Sequence, residues 1–209
     1  VENSRPGKTV VLFVCYANRE RSTLAQFLLR DRLEREFPDV AARMEIDSAG
    51  AMLDTYLKWA EDQGKPFALP YFGKPLGRHV ARRLAGKNID TTSYRSKEIT
   101  PSLAQRADLI LTMDLPLKRE LRSRWPELEA RITTFKEFIF GENTPEPDIG
   151  EFKQVPNTDA AGDWYMDDDY ARRFIRDVES AVEQSLPHFV EFVRAKDRPS
   201  PDRTRHTER

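Results

Sequence analysis

Short unbroken apolar runs alternate along this chain with stretches that repeat every three to four residues. From Lys8 to Val14 the chain reads as a buried strand, because Val10-Val11-Leu12-Phe13-Val14 is apolar without alternation and rich in β-branched residues. From Arg21 to Phe37 the period changes to that of a helix. Ala25, Leu29, Leu33 and Phe37 share one face, with Leu24 and Leu28 beside them, and Pro38 ends it. Arg43 to Asp47 is a second short strand, closed by Ser48-Ala49-Gly50. His79 to Lys87 is helical, with Gly86 and Asn88 as its stop. Pro101 to Arg106 is a short helix capped by Thr100. A third strand runs from Ala107 to Met113, a helix from Pro116 to Arg124, and a fourth strand from Arg131 to Phe135. The long helix from Asp167 to Ala195 carries Phe174, Val178, Val182, Phe189 and Val193 on its apolar face, and Pro187 predicts a kink in it.

Strands that alternate with helices predict an α/β fold, a parallel sheet with helices on both faces. Residues 8–195 are expected to form a single domain with two insertions, at about 52–77 and 141–165. Both are rich in Pro and Gly and lack a clear period, so they are read as loops, where function often sits. Residues 196–209 are polar and charged, the composition of a disordered tail.

Composition narrows the classes. The chain has 209 residues, 33% of them charged, and a net charge of −1. That balance leaves no basic footprint for nucleic acid. No apolar stretch is long enough to span a bilayer, and no charged-then-apolar leader precedes the first strand. A single cysteine excludes a disulfide framework and a multi-thiolate metal centre. None of His79, His188 and His206 has a ligand-like partner spacing, so neither a metal nor a cofactor is expected. A cytoplasmic location is the simple reading.

The one cysteine falls where the first strand gives way to the first helix, in Cys15-Tyr16-Ala17-Asn18-Arg19-Glu20-Arg21-Ser22. Backbone N–H groups at a helix start point at an anion, and the helix dipole favours negative charge there. The same field favours a thiolate. An arginine six positions on supplies a fork that matches phosphate oxygens. A lone cysteine after an apolar strand is commonly just a small buried hydrophobe. Its polar companions Asn18, Arg21 and Ser22 argue for a phosphate site instead.

These residues resemble the low-molecular-weight protein tyrosine phosphatase family, which includes related arsenate reductases. Cys15, Asn18, Arg21 and Ser22 match its Cys-x-x-Asn-x-x-Arg-Ser loop. Asp47-Ser48-Ala49-Gly50 resembles its Ser-Ala-Gly, and Asn88-Ile89-Asp90 with Tyr94-Arg95-Ser96-Lys97 resembles its Gly-Ile-Asp and His-Arg-Ser stretch. Ala107 to Met113 resembles its third strand, and Phe135-Lys136-Glu137-Phe138 the end of its fourth. The resemblance implies a four-stranded parallel sheet with the phosphate-binding loop after the first strand. It also implies metal-independent hydrolysis of a phosphorylated protein side chain or small phosphomonoester through a phosphocysteine. In that reading Cys15 attacks phosphorus. Arg21 and the loop amides of Tyr16, Ala17, Asn18, Arg19, Glu20 and Arg21 hold the oxygens. Ser22 donates to the Cys15 sulfur, Asn18 pins the loop, and Ser48 supports Asn18 from behind.

The family places its general acid in an Asp-Pro ahead of the last helix, and this chain has none there. Two candidates stand: Asp159, in Asp159-Ala160-Ala161-Gly162, and Asp163, favoured because Trp164 and Tyr165 follow it. Asp148 and Glu151 are poorer choices. Asp167, Asp168 and Asp169 are read as serving a helix dipole. The loop departs from the family at Arg19-Glu20, and Arg19 is expected to border the pocket, where it would favour acidic substrates. Two competing functions follow from the same residues. One is arsenate reduction discharging onto a small external thiol. The other is a phosphate-binding module without turnover.

Overall fold

The computed structural model describes residues 7–64, 72–146, 148–150, 157–158 and 164–196. Strand β1 (Thr9–Cys15) leads into helix α1 (Arg21–Glu36). One turn of helix, α2 (Pro38–Ala41), connects α1 to strand β2 (Met44–Gly50). Helices α3 (Asp54–Asp62), α4 (Arg78–Ala85) and α5 (Pro101–Arg106) follow, then strand β3 (Leu109–Thr112) and helix α6 (Leu115–Arg124). A 3-10 turn (Pro126–Arg131) precedes strand β4 (Ile132–Thr134) and helix α7 (Phe135–Phe140). Two short strands, β5 (Asn157–Thr158) and β6 (Trp164–Tyr165), pair antiparallel, and helix α8 (Asp168–Ala195) closes the described fold.

The main sheet has the order β2-β1-β3-β4, and all three pairings are parallel. Its strands are buried on both faces, which is why they read as continuous apolar runs rather than alternating ones. Along β1 the side chains divide strictly. Val11, Phe13 and Cys15 join the core shared with α1 and α8, while Val10, Leu12 and Val14 join the core against α6. Phe13 meets Phe135 edge-on at 5.0 Å and Phe189 at 6.4 Å. Burying each such side chain contributes about 1.5–3 kcal/mol.

The expected α/β architecture and all four sheet strands are present, and β2 extends through Ser48-Ala49-Gly50 rather than stopping before them. Two readings are corrected. Phe135-Lys136-Glu137-Phe138 is not the end of a strand but the start of α7. Thr134 accepts from the Glu137 N–H, and the Glu137 carboxylate reaches back to the Thr134 N–H, so a capping box turns the chain into a helix. The first insertion is not all loop, because α3 packs Tyr56 into the core beside α6 and buries Ala60. Helix α8 continues through Pro187. Among the described residues, no helix is long and apolar enough to cross a membrane.

Candidate active site

Cys15 sits at the carboxyl end of the second strand in the sheet order, where the parallel strands end and α1 begins. That is the usual ligand position of an open α/β sheet. Its pairing partner is Gly50, and the Ala51 N–H donates to the Cys15 carbonyl at 2.8 Å. Gly50 has to be glycine. A Cβ there would lie 2.6 Å from the Tyr16 carbonyl oxygen and 2.5 Å from the Phe72 ring, so the loop backbone fits only against a bare Cα.

Asn18 holds the turn together. Its φ of 55° is left-handed, a conformation that asparagine tolerates better than most side chains. Its Nδ2 donates to Ser48 Oγ at 2.8 Å and to Ser22 Oγ at 3.2 Å. Its Oδ1 accepts from the Tyr94 hydroxyl at 2.6 Å and from the Lys97 N–H at 3.0 Å. Both hydrogens and both lone pairs are therefore used. Tyr94 also reaches the Asn18 carbonyl at 2.8 Å, and burial pushes its phenol well above the usual range, so it stays a neutral donor.

This network sets the direction of the next bond. Ser22 Oγ, already accepting from Asn18, lies 2.9 Å from Cys15 Sγ. Its single hydrogen is thus available to the sulfur. Ser48 passes its own hydrogen to Gln26 Oε1 at 2.6 Å. Cys15, Asn18, Ser22 and Ser48 are all buried. The N-cap of α1, Glu20, makes no side-chain capping bond, so the first-turn N–H groups of α1 have no side-chain partner from that residue.

Arg21 is held by one nitrogen. Its Nη1 donates to Asp114 Oδ2 at 3.0 Å and to the Ile149 carbonyl at 2.8 Å. Among the described residues, Nε and Nη2, which form the bidentate edge of the fork, make no hydrogen bond. Burial opposes the charge, yet Tyr170, Asp114, Cys15 and Tyr16 around it outweigh burial and keep the guanidinium firmly protonated. Asp114 is fully buried. Burial raises its carboxyl above the usual range, with Arg21 and the Leu117 N–H pulling back only part of that rise. Its Oδ1 accepts from the Leu117 N–H at 3.0 Å, which caps α6, and from the Tyr16 hydroxyl at 3.2 Å.

The structure thus brings Cys15, Asn18, Arg21, Ser22 and Ser48 into one cluster, as the loop pattern leads one to expect. Arg19 is buried, and its Nε donates to the Pro75 carbonyl at 2.8 Å while its own carbonyl accepts from the Gly77 N–H. Glu20 leans over Gly77, where any Cβ would overlap the carboxylate. Asp159, Asp163 and Glu151 lie outside the described residues, as does the pocket role expected of the Trp164 and Tyr165 side chains. Asp148 accepts from the Leu115 N–H at 2.8 Å, and Asp167 caps α8 through the Tyr170 N–H at 2.8 Å. Residues that sequence reasoning missed are Asp114, Tyr94 and Tyr56. Asp114 ahead of Leu115-Pro116 carries a helix-cap signal, but nothing in it announces a partner for Arg21.

Residues 70–197, more than half of the chain, match the family model of low molecular weight phosphotyrosine protein phosphatase. A probable low molecular weight protein-tyrosine-phosphatase, EpsP, of Ralstonia nicotianae is 35% identical over 116 residues, 56% of this chain and 63% of that protein's length. A protein-arginine-phosphatase of Bacillus subtilis is 30% identical over 131 residues, 63% of this chain and 73% of its own. Among solved structures, the low molecular weight protein tyrosine phosphatase of T. tengcongensis superposes with a TM-score of 0.61 at 21% identity, covering 86% of this chain and 99% of that one. The YwlE arginine phosphatase of Geobacillus stearothermophilus gives 0.63 at 20%, covering 92% and 99%. Those structural likenesses speak for the fold, and the matched span speaks for descent: the chain belongs to the low molecular weight phosphotyrosine protein phosphatase family.

Proposed function

We propose that this chain is a metal-independent phosphatase acting on phosphotyrosine or another phosphorylated protein side chain. The observation that carries the reading is the pose of Arg21, tied back at Nη1 with its Nε–Nη2 edge making no hydrogen bond to the described residues, in electrostatic reach of Cys15. In the first step the Cys15 thiolate attacks phosphorus in line. The S–P bond forms and the bond to the leaving group breaks. Arg21 and the loop amides of residues 16–21 stabilise the equatorial oxygens, a task of positioning and electrostatics. The leaving group takes a proton from a carboxylic acid, for which Asp163 and Asp159 are the candidates. In the second step water attacks the phosphocysteine, the same carboxylate takes its proton, and the thiolate departs with the Ser22 hydroxyl donating to it.

The ends of the stretch that carries both aspartates support this assignment. At one end the Ile149 carbonyl rests on Arg21. At the other, Asp167 caps the turn that presents Tyr170, whose hydroxyl would be 3.1 Å from a Cβ at Gly150. The relatives named for tyrosine and for arginine phosphatase activity support a phosphorylated protein as the substrate class. A cytoplasmic location suits a single reactive thiol that must stay reduced.

Steady-state hydrolysis of an aryl phosphate tests the proposal. Cys15→Ser is expected to abolish turnover. One of Asp159→Asn and Asp163→Asn is expected to lower it by about 10²–10⁴, the usual contribution of a general acid. Hydrolysis that persists in Cys15→Ser overturns the reading, and thiol-dependent arsenate turnover with feeble hydrolysis replaces it with a reductase.

A further inference from the structure

Helix α3 meets the phosphate loop at Tyr56. The Tyr56 ring lies against the Tyr16 ring at 4.3 Å between centroids and 12° between planes, and both residues are buried. Trp59, one turn further along, backs Tyr56 at 5.5 Å. Tyr16 is the residue after the nucleophile. Its hydroxyl donates to Asp114 Oδ1, and its ring lies beneath the Arg21 guanidinium at 5.5 Å. Asp114 in turn holds Arg21 Nη1 through its other oxygen. Four side chains from three separate parts of the fold thus end at one guanidinium.

We propose that Tyr16 and Tyr56 are positioning residues for Arg21. The Tyr56 ring fixes the Tyr16 ring, the Tyr16 hydroxyl fixes the Asp114 carboxylate, and Asp114 turns the Nε–Nη2 edge toward the phosphate. The Tyr16 ring lies under the Arg21 guanidinium carbon and its hydroxyl holds Asp114, so it restrains the guanidinium in two ways. The inference rests on reading Arg21 as the phosphate clamp, but it concerns how that clamp is aimed rather than whether turnover occurs.

Inorganic phosphate is therefore the first probe, because its binding does not depend on catalysis. Tyr16→Phe keeps the ring and deletes the hydroxyl. Phosphate affinity, measured by calorimetry, is expected to fall about tenfold, the worth of one hydrogen bond to a charged group. kcat/KM for an aryl phosphate should fall at least as far, and the melting temperature should drop by a few degrees because the buried Asp114 carboxylate loses a donor. Tyr56→Ala should lower phosphate affinity comparably, Tyr56→Phe should rescue that loss because it retains the stacked ring, and the double variant Tyr16→Phe/Tyr56→Ala should lose less than the two single losses combined.

The pH profile gives a readout that a purely structural role would not move. Asp114 is faced by Arg21 from α1, Tyr16 from the loop, Tyr56 from α3, Asp148 and Tyr170. The Tyr16 O–H favours the ionised carboxylate, so its removal should move the acid limb of kcat/KM to higher pH. Wild-type phosphate affinity in Tyr16→Phe with an unmoved acid limb overturns the proposal. Additive losses in the double variant overturn the coupling. A protein that binds phosphate with these dependences but hydrolyses nothing supports the proposal while refuting the phosphatase reading.

Discussion

Replacing Arg21 by lysine separates charge from geometry. One arginine nitrogen is committed to Asp114 at 3.0 Å and to the Ile149 carbonyl at 2.8 Å, and two others form the edge offered to phosphate. A lysine has a single ammonium for both tasks. If it stays on Asp114 and Ile149, the transition state loses two charge-assisted bonds of about 1.5–3 kcal/mol each. Together that is about 3–6 kcal/mol, or about 10²–10⁴ in rate at about 1.4 kcal/mol per tenfold. If it turns to the phosphate instead, Asp114 stays fully buried with, among the described residues, Tyr16 and the Leu117 N–H as its donors, and stability falls, by up to about 3–5 kcal/mol for a broken buried pair. Steady-state hydrolysis of an aryl phosphate, paired with a thermal melt, tells the branches apart. Either branch is expected to show a large loss, in activity or in melting temperature. An Arg21→Lys protein within about fivefold of wild type in kcat/KM and unchanged in stability would refute the division of labour assigned to the guanidinium.

Three other outcomes are expected. Gly50→Ala should lower stability by about 1–3 kcal/mol in urea titrations and depress turnover further, because the added Cβ meets the Tyr16 carbonyl of the loop itself. Tyr94→Phe, which removes the donor at 2.6 Å from Asn18 Oδ1, should cost about 1 kcal/mol of stability and lower kcat more than it changes KM, read from urea melts and steady-state kinetics. Burial alone would raise Glu137, but Lys118 at 2.8 Å, the Thr134 N–H and the Thr133 hydroxyl outweigh it and hold the carboxyl below its usual range. The resulting stability is present above the ordinary glutamate value of about 4.3 and is lost as pH falls through the lower folded value. Urea midpoints of wild type and Lys118→Met across that acidic window should converge as pH drops.

Much of this was legible in the sequence for physical reasons. The apolar run Val10–Val14 could only be a strand covered on both faces, and the period of Ala25, Leu29 and Leu33 could only be a helix laid against it. Cys15, Asn18, Arg21 and Ser22 were legible because a left-handed asparagine and a small hydroxyl are local requirements of a tight turn. What escaped was non-local. Asp114 lies 93 positions from Arg21 and Tyr94 lies 76 from Asn18, so no spacing rule links them. The hold on Arg19 is equally non-local, because its Nε donates to the Pro75 carbonyl 56 positions on. The turn at Thr134 was misread although its signal was present: Thr134 and Glu137 form a capping box, hidden by the apolar residues around them. Helix α3 was lost in a stretch where Pro and Gly dominate further on.

The central claim, that Cys15 carries phosphate during turnover, is tested most directly by trapping. Wild-type protein mixed with excess aryl phosphate, quenched in acid within the first turnover and digested, should show one phosphate on the peptide that contains Cys15, together with a stoichiometric burst of phenol. Turnover with no phosphate on that peptide at any quench time, or phosphate found on another residue, would contradict it.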